Sequence, residues 1–228
     1  MKEKLKIKVR QATLADVPRL MEIDEEIWPD FRASAEMFQS RIFTFPEGQF
    51  VAVCNGQVVG SVFCQLVNYK DWINKDFTWA EITDHGTIRK THNPDGDSVY
   101  GVGLAVAKRF QGSAASRLLT ITAVHWVIKN NRRQILLGAR IPGYCKHSNI
   151  SVEEYIRTKR GKKGRLVDPE LAFYQKYDGE PVRPLPNYIH DPESLHFGVL
   201  IRWRNQFHNK PFRSFFVALA IEVWPGIV

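Results

Sequence analysis

Cysteine is scarce in this chain, and the patterns that hold metals are missing. The 228 residues include three cysteines, Cys54, Cys64 and Cys145. They are too few and too scattered for a disulfide framework or a C-x-x-C metal site. Cys54 and Cys64 fall in strand-like runs, where free cysteine acts as a small buried hydrophobe. No H-x-x-x-H, H-E-x-x-H or Cys/His cluster occurs, so no metal is expected. There is no G-x-x-x-x-G-K-[ST] for a nucleoside triphosphatase and no G-x-S-x-G for a serine hydrolase. Long apolar runs are lacking too. Phe215 to Trp224 is broken by Glu222 and is far too short to cross a bilayer. Met1 to Arg10 alternates Lys with apolar residues and has no continuous apolar core, so no signal peptide is expected. These absences predict a reduced, cytoplasmic protein without a membrane segment.

What is present suits one well-filled core, or at most two small ones. Hydrophobic residues make up 44% of the chain and charged residues 25%, ordinary for a globular domain. The net charge of +8 attracts polyanions without distinguishing a nucleotide-type cofactor from RNA or an acidic protein. The densest basic run, Arg157 to Arg165, reads either as a solvated loop or as a polyanion site.

Leu5 to Arg10 alternates like an edge-capable strand. Thr13 to Asp16 is a capping-box pattern, and Leu14, Val17, Leu20, Ile23 and Ile27 then recur at helical spacing. A second helix is expected over Ser34 to Phe43. Gln49 to Cys54 and Val58 to Val67 read as strands closed by Asn55-Gly56, a tight-hairpin dipeptide. Asn68 to Asp97 is a long polar, aromatic, turn-rich stretch of the kind that is often functional. Further strands are expected at Gln134 to Ile141, Val182 to Tyr188 and Gly198 to Arg204. Ser151 can cap a short helix running through Ile156. Asp168-Pro169 should open another, with Asp as N-cap and Pro in the first turn, running to about Tyr177.

Residues 98–119 carry most of the functional signal. An apolar strand-like run ends in a Gly/Ser/Ala-rich turn from which a helix-like run starts directly. The first helical N–H groups then lack internal partners and, with the helix dipole, suit a phosphate or pyrophosphate. Small residues at 112–116 allow close approach to the backbone. Strand–small-turn–helix joins are also common where nothing binds.

This order of elements, with the phosphate-type turn after the fourth strand, resembles the GNAT N-acetyltransferase superfamily over roughly residues 5–204. The family signature Q/R-x-x-G-x-G/A falls on Gln111 to Ser116, with Phe110 before it and Leu118-Leu119 after it. Ala114 and Ser116 stand where the family has glycine. A competing register starts at Arg109 and runs through Gly112 and Ala114. The resemblance implies an α/β (α+β type) fold with a mixed, mostly antiparallel central sheet, flanked by helices and splayed between strands four and five. It also implies acetyl-CoA as acyl donor. The backbone of Leu104 and Val106 would hold its pantetheine arm. The stretch Arg109, Gln111, Gly112, Ser113, Ala114, Ala115, Ser116 and Arg117 would hold its pyrophosphate. Tyr174, in Asp168-Pro-Glu-Leu-Ala-Phe-Tyr-Gln-Lys-Tyr-Asp-Gly179, matches the family tyrosine that protonates the departing thiolate; otherwise it is a packing residue. A narrower likeness lies in Trp79-x-Glu81-x-Thr83-Asp84-x-Gly86, Tyr100-Gly-Val, Arg140-Ile-Pro-Gly-Tyr144 and Pro186-Asn-Tyr188. These look like GNAT domains that bacteria sometimes fuse to a carbon–nitrogen hydrolase.

Acetyl transfer to an amine needs a polarised thioester carbonyl, a neutral amine and a proton for the thiolate. A backbone N–H near Val106 would supply the first. Glu81 and Asp84, in the long loop, are the candidate bases, with His85 and His147 as further options; each carboxylate could equally be solvated. Arg140 and Tyr144, at the end of the fifth strand, could bind a carboxylate on the acceptor; alternatively Arg140 pairs with a loop carboxylate. The expected function is an acyl-CoA-dependent N-acyltransferase acting on a small-molecule or protein amine. The rivals are a CoA-binding module without activity and an RNA- or ribosome-associated module. No membrane or nucleic-acid partner is expected. The expected organisation is one domain over 1–204 and a C-terminal extension over 205–228, packed on the domain or in a homodimer contact.

Overall fold

The structure is a computed structural model that describes residues 6–162 and 164–211. Seven strands form one sheet in the order β1-β2-β3-β4-β5-β9-β8. In chain order the elements begin with β1 (Ile7–Gln11), α1 (Val17–Ile27), α2 (Ala35–Thr44), β2 (Gln49–Cys54), β3 (Gln57–Val67) and α3 (Trp79–Thr83). They continue with β4 (Ser98–Val106), α4 (Ala115–Lys129), β5 (Gln134–Arg140) and α5 (Val152–Tyr155). The last are β6 (Lys159–Arg160), β7 (Arg165–Leu166), α6 (Pro169–Gln175), β8 (Glu180–Leu185) and β9 (Gly198–Arg204). All neighbours in the large sheet run antiparallel except β4 and β5, which are parallel. The expected mixed, mostly antiparallel sheet flanked by helices is therefore the observed one.

Local chemistry accounts for most boundaries. Asn55 and Gly56 both take positive φ, as a tight two-residue hairpin requires. Ser34 caps α2 through Met37 N, and Ser151 caps α5 through Glu154 N. Asp168 caps α6, accepting from the amides of Glu170 and Leu171 at 3.0 and 3.2 Å. It also accepts from Gly143 N and the Tyr155 hydroxyl. This buried carboxylate thus ties α6 to α5 and to the chain leaving β5. The helix stops at Gln175, two residues before the expected end.

The strand expected at Val182 to Tyr188 is instead Glu180–Leu185. Tyr188 leaves the ladder and turns its ring into the fold. The long loop contains α3, whose start is a capping box of Thr78 and Glu81. One apolar core lies under α1, α2 and α4, where Leu20, Phe38, Phe63, Leu119 and Val127 are buried. A second joins β5 and β9 to α5 and α6. Cys54 and Cys64 are buried, as their strand placement predicts. The basic run forms the exposed β6–β7 hairpin. No helix among the described residues is long and apolar enough to cross a membrane. Asn205 donates to Arg132 O, and Asn209 exchanges hydrogen bonds with Asn131. Residues 212–228 of the expected extension lie outside the described residues.

Candidate active site

β4 follows β3 along its whole length but follows β5 only from Ser98 to Gly101, opposite Gln134 to Leu137. Beyond Gly101 the two parallel strands part. The parting coincides with a β-bulge, because Phe63 faces Gly103 while Cys64 faces Gly101, leaving Val102 as the extra residue. A bulge bends its strand. It lies where β4 leaves β5.

Antiparallel alternation decides which main-chain groups face the opening. Ala107 N bonds Val59 O, so the pairs Gly60–Val106 and Val62–Leu104 are of the kind whose N–H and C=O groups point away from each other. Leu104 and Val106 therefore turn their main-chain groups toward the side β5 has left. Among the described residues, Val106 O receives only a long contact from the Gln111 side chain, at 3.4 Å. Val102 O accepts from the Trp79 indole at 2.9 Å.

Past β4 the chain makes one tight turn over Lys108–Phe110 and enters α4. Gly112 takes φ +77°, and a Cβ there would meet open space. Ser113 Oγ accepts from Ala115 N at 3.2 Å. Among the described residues, the amides of Gly112, Ala114 and Ser116 meet no acceptor. Glu26 already occupies the Lys108 amide at 3.0 Å. Ala114 has φ −73° and Ser116 lies within α4, so neither needs a glycine. The one left-handed position is the one that holds glycine.

On the β5 side the open edge is covered by side chains. Tyr100 and Tyr188 are buried and share a hydroxyl–hydroxyl hydrogen bond of 2.6 Å. The Tyr188 ring occupies the space that side chains at Gly138 and Gly198 would fill. The main chain of Tyr188 accepts from Trp79 N at 2.8 Å. Trp79 thereby links both sides of the parting, its indole to β4 and its amide to Tyr188.

Tyr174, on α6, has its phenol pKa raised by burial first and then by the nearby Glu170 and Tyr188. Its ring packs edge-on to Phe173, and among the described residues its hydroxyl has no hydrogen-bond partner. Glu170, one turn earlier on α6, is pushed up to about 7. Burial is the main cause, opposed by Arg140 and reinforced by Asp168 and Asp191. The sequence reading missed Glu170, because a carboxylate in a first helical turn looks like an ordinary dipole-favoured residue. The available signal was its i,i+4 spacing from Tyr174.

Four expected site residues are engaged in local contacts. The Glu81 carboxylate is exposed and closes the α3 capping box, accepting from Thr78 N at 2.7 Å. That hydrogen bond holds its pKa below the usual range. Asp84 sits at φ +50° and accepts from Thr87 Oγ1 at 2.6 Å and from Lys90 N. Thr87 is the main reason its pKa is lowered as well. Both carboxylates serve local caps and are weakened as bases.

The Arg140 guanidinium is committed to Asp191 by two hydrogen bonds of 2.7 and 2.9 Å and to Glu193 at 3.1 Å. It also lies over the Trp28 ring, 5.4 Å from its centroid. Here the loop-carboxylate alternative is the one found. Tyr144 is buried against Tyr155 and Phe197 and donates to Ile150 O at 3.1 Å.

No protein-family model matches the chain. It is 34% identical over 208 residues to YkwB of Bacillus subtilis strain 168, named as an uncharacterized N-acetyltransferase, covering 89% of this chain and 90% of that protein. It is 28% identical over 203 residues to YhcX of the same organism, named as a probable hydrolase, covering 88% of this chain but 39% of that protein. Among solved structures, the loading GNATL domain of CurA from Lyngbya majuscula superposes with a TM-score of 0.78 at 22% identity. That match covers 87% of this chain and 98% of the domain. The parted β4–β5 pair, the turn into α4 and the relation to YkwB agree: the chain belongs to the GNAT N-acetyltransferase family.

Proposed function

We propose that the protein is an acyl-CoA-dependent N-acyltransferase that moves acetyl from acetyl-CoA to a primary amine by direct attack in a ternary complex. One observation carries the reading. Outward-facing main-chain groups on β4 lead straight into a turn whose amides at 112, 114 and 116 are unused. That is the complement of a pantetheine arm continuing into a diphosphate. The bound thioester supplies an activated acetyl group. Leu104 and Val106 hold the arm through their backbones, and a main-chain N–H of this edge polarises the thioester carbonyl. Arg109 and Arg117 add positive charge beside the Gln111–Ser116 turn.

Tyr174 gives its proton to the departing sulfur. Its raised pKa keeps the phenol protonated at neutral pH, and its hydroxyl has no competing acceptor among the described residues. Because Arg140 and Tyr144 are already engaged, the acceptor is read as an amine without an obligatory carboxylate.

Isothermal titration with acetyl-CoA tests donor binding, and thiol release across a panel of amines tests transfer. Absence of acetyl-CoA binding would reject the reading. Tyr174→Phe is expected to slow turnover by roughly 10²-fold while leaving acetyl-CoA affinity unchanged; equal turnover would remove Tyr174 from the mechanism.

A further inference from the structure

We propose that the β6–β7 hairpin is a docking arm for an acidic polypeptide, which it grips through an outward-facing arginine pair, Arg160 and Arg165. This surface goes beyond the acyl-transfer reading and does not rest on it. Lys159 pairs with Leu166, and Arg160 with Arg165, across the two short strands. Directly paired residues share one face of an antiparallel ladder, and neighbouring pairs take opposite faces. Leu166 is buried in the core formed with α5 and α6, so the arginine pair points the other way, into solvent. Both arginines are exposed, as are Arg157, Lys159 and Lys162.

Like charges set directly opposite in a ladder repel, and this hairpin has only two pairs to hold it. Its order is supplied from beneath. Gln175 on α6 accepts from Leu166 N at 2.9 Å and donates to Gly164 O at 3.1 Å. Val167 N bonds Thr158 O at 3.0 Å, and glycines take the left-handed positions of the turn, Gly161 at φ +69° and Gly164 at φ +58°. The arm is therefore formed before a partner arrives, which lowers the ordering cost of binding. Several arginines elsewhere on the surface have carboxylate partners: Arg10 meets Asp16, Arg32 meets Glu25, Arg89 meets Glu36 and Arg183 meets Asp76. Arg157, Lys159, Arg160, Lys162 and Arg165 have none among the described residues. A repelling, unneutralised cluster on a fixed support is stabilised by an anionic partner.

The make-up of the patch selects the kind of anion. Guanidinium groups side by side suit carboxylates or phosphates. No aromatic residue lies between Arg157 and Arg165 to stack against bases. The exposed Glu153 and Glu154 of α5 precede the patch and interrupt any basic track that a phosphate backbone would follow. A short run of glutamate or aspartate side chains on another protein matches both the charge and the extent.

The test is fluorescence anisotropy of a labelled peptide of alternating Glu and Ala, at about 0.15 M salt, with a Gln–Ala peptide as the neutral control. Wild type is expected to bind the acidic peptide and not the neutral one. Arg160→Thr combined with Arg165→Thr should weaken binding about 5-fold. Arg157→Gln combined with Lys162→Gln, which leaves the ladder untouched, should weaken it about 3-fold. Lys6→Gln combined with Lys8→Gln makes the same charge change at the β1 edge of the sheet and should stay within about 2-fold of wild type. The threonine pair removes the cross-strand repulsion, so that variant is expected to melt no lower than wild type. Unchanged binding in both hairpin variants, or equal weakening by the hairpin and β1 variants, would overturn the proposal. So would a wild type that binds neither peptide, or that binds a labelled oligouridylate more tightly than the acidic peptide.

Discussion

The two ends of the parted strands are built from different materials. Where β4 runs into α4, the site is backbone: outward-facing groups at Leu104 and Val106, one left-handed glycine and amides left over by a helix start. Where β5 ends, it is side chain: Arg140 joins Asp191 and Glu193, and Ser194 bonds both Asp191 and Ile141 N. A backbone site tolerates any small residue that keeps the path of the chain. A side-chain network depends on each member, because removing one leaves a buried partner unsatisfied. The first end is therefore expected to be forgiving and the second brittle.

The strongest way to break this contrast is Arg140→Leu. It strands the Asp191 carboxylate, 7% exposed, and should cost about 3 kcal/mol of stability at neutral pH, read as a lowered urea midpoint. Burial tends to raise the Asp191 pKa, but the hydrogen bonds from Arg140 and Ser194 outweigh it and hold the pKa below its usual value. The stabilisation from this pairing is therefore present above the unfolded-state pKa and is lost as pH falls through the folded one. The gap between variant and wild type should shrink in acid; a constant gap would deny the pairing its role.

Glu170→Gln should act with the opposite sign. The folded-state pKa of about 7 lies above that of an unfolded glutamate, near ~4.3. Wild type thus loses stability as pH rises between these values. The glutamine variant should match wild type at pH 4. By pH 8 it should be more stable by about 2 kcal/mol, at ~1.4 kcal/mol per pKa unit and discounted for the part of the carboxylate that water reaches. Equal thermal stability at both pH values would show that the carboxyl is not strained by burial.

The smallest effects belong to the backbone end, where paired substitutions sharpen the comparison. Gly112→Ala forces a Cβ into φ +77° and should cost about 1 kcal/mol with weaker acetyl-CoA binding. Ala114→Gly, which restores the family glycine, relieves no strain at φ −73°. It should lower stability by about 0.5 kcal/mol and leave acetyl-CoA affinity unchanged. Tighter binding in Ala114→Gly would mean that the methyl group obstructs the ligand.

The same contrast explains what the sequence made legible. Fold and phosphate-type turn follow from local signals: alternation, the Asn55-Gly56 hairpin, the Asp168-Pro169 start and the small residues at 112–116. The parting of β4 and β5 followed from family resemblance, and the bulge at Val102 is marked locally only by its flanking glycines, Gly101 and Gly103. The β5 corner was out of reach for another reason. Arg140 meets partners 51 and 53 positions away in sequence, and no periodicity encodes such a meeting. Glu81 and Asp84 looked available because a capping carboxylate and a free one have the same letters. Tyr188 looked like the last residue of a strand and is instead a buried ring beside Gly138 and Gly198.

That ring has a consequence for how ligands arrive. Two buried phenols, Tyr100 and Tyr188, share a hydrogen bond beside the place where the β4–β5 ladder ends. β4 and β5 share no ladder beyond Gly101, so an incoming molecule breaks no strand-to-strand bonds to enter. Association is expected to proceed like docking into a rigid mould, with little loss of chain entropy on binding.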